Sequence, residues 1–485
     1  MKYILDERYR LRGWQDAHTG IFDTREKATR FLPKELFLFM MRCDGAHELD
    51  EAALSEEEKR FFEDVTKANV IRPAGFAEFL KPEQEYKVYP AAYKQQVHWS
   101  ITGACNLKCR HCFMSAPHAK HGSPSHEQIV AIADQLAECG VFQVGITGGE
   151  PLIREDFLDI IDALNEREIG VSVIYTNGWL VDEAFLDELD RRRVHPAFQL
   201  SFDGVGWHDF LRGVPGAEEK TIQALKLLQA RKYSVSVSMC LHRKNRHVLR
   251  ESVKLMASLG VRSMKCGAMM ELGEWLQPEL RDLQLTDEEE LQMFEEYVPQ
   301  YFEDDAPLSI MLSGTFMYSP GDPKWDIYNR RQCSKEEETR MPSCGVLLNN
   351  FYIGAEGMVC PCMGMADCGY AKNFQNLFET PLKDILNGER FKKLCHATVG
   401  EVRDANPKCR TCKYVDKCTG GCRNSVLMAC DDYYGVDPGL CWFFEHDGEA
   451  RIENAARDAF AAYIQRNPPR ERKPASEQDE APDCP

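Results

Sequence analysis

Cys105-Asn-Leu-Lys-Cys109-Arg-His-Cys112 follows a strand-like run, Val97-His-Trp-Ser-Ile-Thr102. The spacing is CxxxCxxC. Three thiolates on one short loop match three corners of a cubane iron–sulfur cluster. No fourth cysteine stands beside them, so one iron keeps an open position. An open iron supports chemistry, where a fully ligated cluster mainly carries electrons. Outward from that loop, short apolar runs at 97–102, 142–147, 171–176, 198–202, 233–239 and 261–266 alternate with amphipathic stretches such as 125–139, 182–193 and 218–231. Repeated strand–helix units predict an α/β fold with a parallel sheet, and six of them predict a partial (β/α)6 barrel over 97–305. Reacting residues of such barrels collect where strands end, which is where the cysteine loop falls.

The chain has 485 residues, a net charge of -18 and 20 cysteines. The acidic balance speaks against a nucleic-acid partner, which would require a basic stripe. The apolar run at 36–41 is far too short to span a bilayer, and the first residues carry no secretory signal, so a cytoplasmic protein without a membrane partner is expected. In that setting clustered cysteines point to metal rather than disulfides.

Residues 1–90 carry strand-like runs at 3–11 and 20–23, then a helical run at 33–43 that stops at Gly45. A capping box, Ser55-Glu-Glu-Glu58, starts another helix, and Val70-Ile-Arg-Pro73 reads as a wing strand. This order predicts a small winged helix-turn-helix domain. Its 15 Lys and Arg against 18 Asp and Glu disfavour a DNA reader. Residues 306–445 are cysteine-dense and rich in loops, a composition that metal often staples. The last segment, 446–485, predicts a helix near 448–464 and then a charged, Pro-rich, disordered tail.

Thr147-Gly148-Gly149-Glu150-Pro151 ends the second predicted strand. Two glycines let backbone approach a bound molecule closely, and Glu150 offers a carboxylate to an ammonium. Together, Cys105, Cys109, Cys112 and this GGEP run resemble the radical S-adenosylmethionine (radical SAM) superfamily. The resemblance implies that the cofactor's amino and carboxylate groups chelate the open iron. It also implies that Gly148, Gly149, Glu150 and Pro151 bind the amino group. Asn177 in Tyr175-Thr-Asn-Gly178, and Ser201 and Asp203 in Gln199-Leu-Ser-Phe-Asp-Gly204, are further expected contacts. Arg212 matches an arginine that pairs with the methionyl carboxylate.

Cys344 is followed by Gly357 and Cys362, and later by Cys409-x2-Cys412-x5-Cys418-x3-Cys422 and Cys441. This resembles the SPASM domain, the twin-cluster extension of radical SAM maturases. Structural zinc is the other reading of such CxxC pairs. By resemblance, Cys409, Cys412, Cys418 and Cys441 hold an outer auxiliary cluster, and Cys344, Cys362 and Cys422 an inner one. Cys333 is the first candidate for the inner cluster's fourth ligand; Cys360 and Cys368 are others. The expected cofactors are therefore S-adenosyl-L-methionine and three [4Fe-4S] clusters. The N-terminal unit resembles the PqqD-like element that docks leader peptides, with Arg42-Cys-Asp-Gly45 as its turn. Strand addition at a sheet edge would serve that docking.

These resemblances imply a maturase that takes a hydrogen from a ribosomally made precursor peptide and forms an oxidative thioether or carbon–carbon cross-link. A flavodoxin- or ferredoxin-type donor is the expected electron source. Sulfatase-type maturation, epimerisation, decarboxylation and tetrapyrrole modification are alternatives within the superfamily. Met363 stands where sulfatase-type relatives place an acidic base. A non-catalytic electron-transfer protein and an iron–sulfur DNA sensor are alternatives outside it. No catalytic acid or base is identified; Tyr175, Asp203, Lys265 and Cys266 fall near strand ends.

Overall fold

The fold comes from a computed structural model that describes residues 1–269, 271–326 and 333–469. Six parallel strands, Gln96–Ser100, Gln143–Thr147, Gly170–Thr176, Ala197–Ser201, Val235–Leu241 and Ser263–Ala268, lie in the sheet in chain order. Alternate residues of each strand point outward and are buried: Val97, Trp99, Val144, Ile146, Phe198, Leu200, Val237 and Met264 are all at most 2 % exposed. They pack against the connecting helices, among them His126–Cys139, Phe157–Glu166 and Ala217–Ala230, in one continuous core. Burial on one face and polar residues on the other is what a half-closed barrel demands. Local signals set the helix ends. Ser125 and Gln128 form a capping box at the start of His126–Cys139, and Gly140 ends that helix in the left-handed conformation at φ +73°.

The sheet does not stop at residue 305. Ser309–Leu312 adds a seventh parallel strand beside Ser263–Ala268, and Phe316–Tyr318 returns antiparallel to it. The Asp304-Asp305-Ala306-Pro307 run reads as a boundary in sequence but is only the turn into that strand. At the opposite edge Asn350–Ile353 pairs parallel with Gln96–Ser100 and is followed by Met358–Cys360 and Gln375–Asn376. One eleven-stranded sheet therefore spans the barrel and the cysteine-rich region.

The first 90 residues form two small sheets. Asp44–Glu48, Lys2–Leu5 and Ile71–Pro73 make a three-stranded antiparallel sheet, flanked by helices Lys34–Met41 and Glu56–Lys67. Between the two helices lies a single 3-10 turn, Glu51–Ala53, capped by Asp50. Ala28–Phe31, Thr19–Asp23, Tyr9–Trp14 and Lys87–Tyr89 form the second sheet. That sheet rests on the barrel: Phe22 stacks on Phe142 at 4.2 Å, and the Trp14 indole N–H donates to Gly140 O at 3.3 Å. At the other end of the chain, Gly448–Arg466 packs along Asp287–Glu303, with Arg451 paired to Glu288 and Glu295. The predicted disordered tail lies almost wholly outside the described residues. No helix among the described residues is long and apolar enough to cross a membrane.

Candidate metal and cofactor sites

The Cys105–Cys112 loop is clamped by backbone from two directions. On one side Gly149 N–H donates to Thr102 O (2.8 Å) and Glu150 N–H to Ala104 O (2.9 Å), so the GGEP turn runs beside the loop's start. A Cβ at Gly149 would lie 2.2 Å from Ala104 O, which is why only glycine fits. On the other side Lys108 N–H donates to Arg212 O and Arg110 N–H to Leu211 O, at 3.1 and 2.8 Å. Gly213 allows that approach, with φ +68° and Lys108 O 2.2 Å from its built Cβ.

The sulfur atoms face N–H donors. Leu107 N–H donates to Cys105 Sγ at 3.4 Å, Ala116 N–H to Cys112 Sγ at 3.2 Å and Arg212 Nη1 to Cys109 Sγ at 3.7 Å. Donors aimed at sulfur suit anionic ligands and tune a cluster they hold. Burial, and the nearness of the other two thiols, push Cys105 up to about 12 as an isolated thiol. Burial also raises Cys112, and thiols set side by side with Cys109 gain from a shared cation, so the donor set fits an iron–sulfur group.

Glu150 is fully buried, and burial lifts its carboxyl to about 7 against the opposing pull of its hydrogen bonds. It accepts from Asn177 N–H (2.7 Å), Thr176 Oγ1 (2.8 Å) and Leu152 N–H (3.1 Å). The same carboxylate thus ties the second and third strand ends together and caps the 3-10 turn that begins at the buried Pro151. Gly148 sits at φ +152° over Thr102 O. The Asn177 amide reaches Asn106 Oδ1 at 2.7 Å and Cys105 Sγ at 3.9 Å, and so faces the cysteine loop. Ser201 ends its strand half-buried.

Asp203 and Arg212 pair with each other beside the cysteine loop. Asp203 is wholly buried; its Oδ1 accepts Cys240 N–H at 3.1 Å and its Oδ2 lies 2.7 Å from Arg212 Nε. Burial alone would raise this carboxyl, but Arg212 and His208 hold it well below the usual range. Asp203 therefore acts on the site through Arg212, whose guanidinium spans the carboxylate and Cys109.

In the cysteine-rich region Cys409, Cys412, Cys418 and Cys441 line one hollow, roofed by Tyr414 and Phe444. Backbone N–H groups of Tyr414 and Gly420 donate to Cys412 and Cys418 sulfur, each at 3.4 Å. Cys344, Cys362 and Cys422 form a second group whose members feel one another's charge. Cys333 is buried beside Arg403, Glu337 and Glu338, and Arg403 belongs to the hollow of the first group. Cys360 neighbours Cys362 and Cys368, with its thiol turned to Cys362 O at 3.2 Å.

Several contacts of the site are not given by the motifs, even where the residues lie inside them. Thr176 orients Glu150, Asn106 meets Asn177, and His208 lies 3.4 Å from Asp203. His111, Asp203 and Cys240 converge within 4.8 Å. Arg212 already occupies that carboxylate, so a metal cation would meet positive charge there. The packing of loops at the strand ends brings these residues together, so no local spacing signals their contacts.

Comparison with known proteins agrees with this geometry. Residues 99–256 match the radical SAM superfamily, and residues 344–413 match the SPASM iron–sulfur cluster-binding domain. The AdoMet-dependent heme synthase of Methanosarcina barkeri is 25% identical over 70% of this chain and 95% of its own length. The PqqA peptide cyclase of Granulibacter bethesdensis is 25% identical over 76% and 92%, and the mycofactocin maturase MftC of Mycobacterium tuberculosis 27% over 70% and 81%. Among solved structures, SuiB of Streptococcus suis bound to S-adenosylmethionine superposes with a TM-score of 0.61 at 16% identity, covering 90% of this chain and 99% of SuiB. That likeness establishes the fold. The two domains imply S-adenosylmethionine and iron–sulfur clusters. The chain is a radical SAM enzyme that carries a SPASM domain.

Proposed function

We propose that the enzyme matures a ribosomally made precursor peptide by an oxidative cross-link, thioether or carbon–carbon. One observation carries this reading: a single sheet bears the Cys105 loop past the C-terminal end of Gln96–Ser100, while Met358–Cys360 runs antiparallel to that direction and leads to Cys362 toward the other end, so a substrate inside the barrel would lie between two candidate redox sites. Cys105, Cys109 and Cys112 would hold the cofactor-binding [4Fe-4S] cluster. Cys409, Cys412, Cys418 and Cys441 would hold one auxiliary cluster, and Cys344, Cys362 and Cys422 another. When bound and reduced, the first cluster supplies reductive cleavage of S-adenosylmethionine and hence a radical able to take hydrogen from an unactivated carbon. The chain's own part is to hold and to exclude. Glu150, Asn177 and Ser201 line the cofactor side, and Arg212 offers a cation fixed by Asp203. The core residues behind the strands keep the mouth rigid, which aims one C–H bond.

The neighbourhood of Cys333 supports three protein ligands for the inner auxiliary site rather than four. For docking, a hollow lined by Leu11, Met41, Ala46, Phe79, Leu80 and Tyr86, with Asp44 and Glu85 at hand, suits an extended leader segment. The peptide-acting relatives support the substrate class. The heme synthase relative supports a second reading, tetrapyrrole side-chain oxidation. A flavodoxin or ferredoxin would deliver electrons.

The test is anaerobic reconstitution with a strong reductant, S-adenosylmethionine and a candidate precursor from a neighbouring reading frame. Deoxyadenosine together with loss of two hydrogens per modified site, read by mass spectrometry, is the expected result. Deoxyadenosine with an unchanged peptide, and a changed mass of a tetrapyrrole supplied in a parallel reaction, would favour the second reading. An unchanged mass with inverted stereochemistry would indicate epimerisation.

A further inference from the structure

The six barrel strands contain one Lys, Arg, Asp or Glu side chain, Lys265. Its neighbours along the strand, Met264 and Cys266, are buried against the helices, at 2 % and 0 % exposure. Lys265 therefore points to the opposite face. The strand is paired on both sides, with Ser238 and Met311 in register with Lys265, so it is no sheet edge. Even so, Lys265 is exposed. That exposure is to the barrel interior. Following the register further, Ser238 pairs with Ser201, placing Lys265 two strands from an expected cofactor contact on the same face.

The surroundings make this ammonium unusual. Among the described residues it has neither an ion pair nor a hydrogen-bond partner. Around it stand the inward positions Gln199, bonded to Ser238 at 2.7 Å, and His98, whose proton affinity burial lowers. Its charge is felt by Cys240 on the cofactor side and by Cys362 on the auxiliary side. It stands between the two redox sites.

A substrate filling this space strips water from the ammonium. That desolvation is unfavourable unless an anion replaces the water. We propose that Lys265 receives a carboxylate of the substrate, an Asp or Glu side chain close to the carbon that reacts. The pairing would fix the peptide's register between the two sites, and it rests on the peptide reading above. The methionyl carboxylate of the cofactor shares the chemistry but has Arg212 nearby, on the cysteine loop side.

The experiment is competitive trace labelling of lysines with acetic anhydride in the reconstituted holoenzyme, read residue by residue by mass spectrometry. The probes are N-acetylglutamate α-methylamide and its glutamine counterpart, each with and without S-adenosylmethionine, with surface lysines as internal standards. The expected result is that the glutamate probe slows labelling of Lys265 roughly threefold or more while the glutamine probe does not. Equal rates with both probes, or full protection by S-adenosylmethionine alone, would overturn the proposal. Neither outcome depends on peptide turnover, so failure here is distinct from failure of the maturase reading.

Discussion

Asp203 and Arg212 show how a buried charge earns its place. The pair sits 2.7 Å apart, with Asp203 unexposed and Arg212 only 8 % exposed. Removing one charge strands the other in a low-dielectric interior. Asp203→Asn should lower stability by about 3–5 kcal/mol, seen as a fall in the apparent unfolding temperature, and Arg212→Met combined with it should recover part of that loss. If the single variant melts like the parent, the pair is not coupled. Gly149 is the second informative residue. Gly149→Ala forces a methyl toward Ala104 O and should cost about 1–3 kcal/mol, with deoxyadenosine formation lost well beyond what the stability change explains. The need for a glycine at position 149 was legible in the GGEP motif, whose paired glycines announce a close backbone approach. The Asp203–Arg212 pairing was not, because a motif records neighbours in sequence and not contacts between separate loops.

At the scale of elements, the sheet formed by Tyr9–Trp14, Thr19–Asp23, Ala28–Phe31 and Lys87–Tyr89 is bonded to the barrel rather than tethered to it. Phe22 is fully buried and stacked on Phe142. Phe22→Ala should destabilise by about 3–5 kcal/mol, and hydrogen exchange should rise in the Gln143–Thr147 strand as well as around Phe22. Faster exchange confined to the first 90 residues would mean that the contact carries no load. The strand order of this region was read in part from sequence: the Ser55 capping box and the helix after it stand as expected. Its division into two sheets was not, since pairing Lys87–Tyr89 with Tyr9–Trp14 spans more than seventy residues and leaves no periodic trace.

Across the whole molecule, the barrel and the cysteine-rich region meet at a charged latch. His121 lies 3.1 Å from Glu356 and 3.4 Å from Asp367, and Lys120 pairs with the same aspartate at 2.7 Å. Hydrogen bonds to Asp367 and then Glu356 raise His121 to about 9. A raised histidine stabilises the fold fully below its unfolded value, near 6.5, and loses that contribution as pH climbs through about 9. The contribution is at most about 3 kcal/mol. The stability advantage of the parent over His121→Ala should therefore hold level near pH 6 and shrink toward pH 10. A constant difference over that range would show that His121 packs without its charge.

Local spacing alone determined the chemistry class. CxxxCxxC, GGEP and the Cys409–Cys422 run are short-range patterns, because several ligands on one tight loop write themselves into sequence, whereas Cys344, Cys362 and Cys441 stand alone and join them only by resemblance. The alternating strand and helix runs likewise announced the barrel, since a two-residue and a 3.6-residue period reflect burial directly. Tertiary structure decided what lies between the sites. The addition of Asn350–Ile353 to the barrel edge, the Arg212–Asp203 pairing and the inward aim of Lys265 all depend on strand register and on the packing of loops at the strand ends. Register is set by packing among residues far apart in the chain, so no window of sequence contains it.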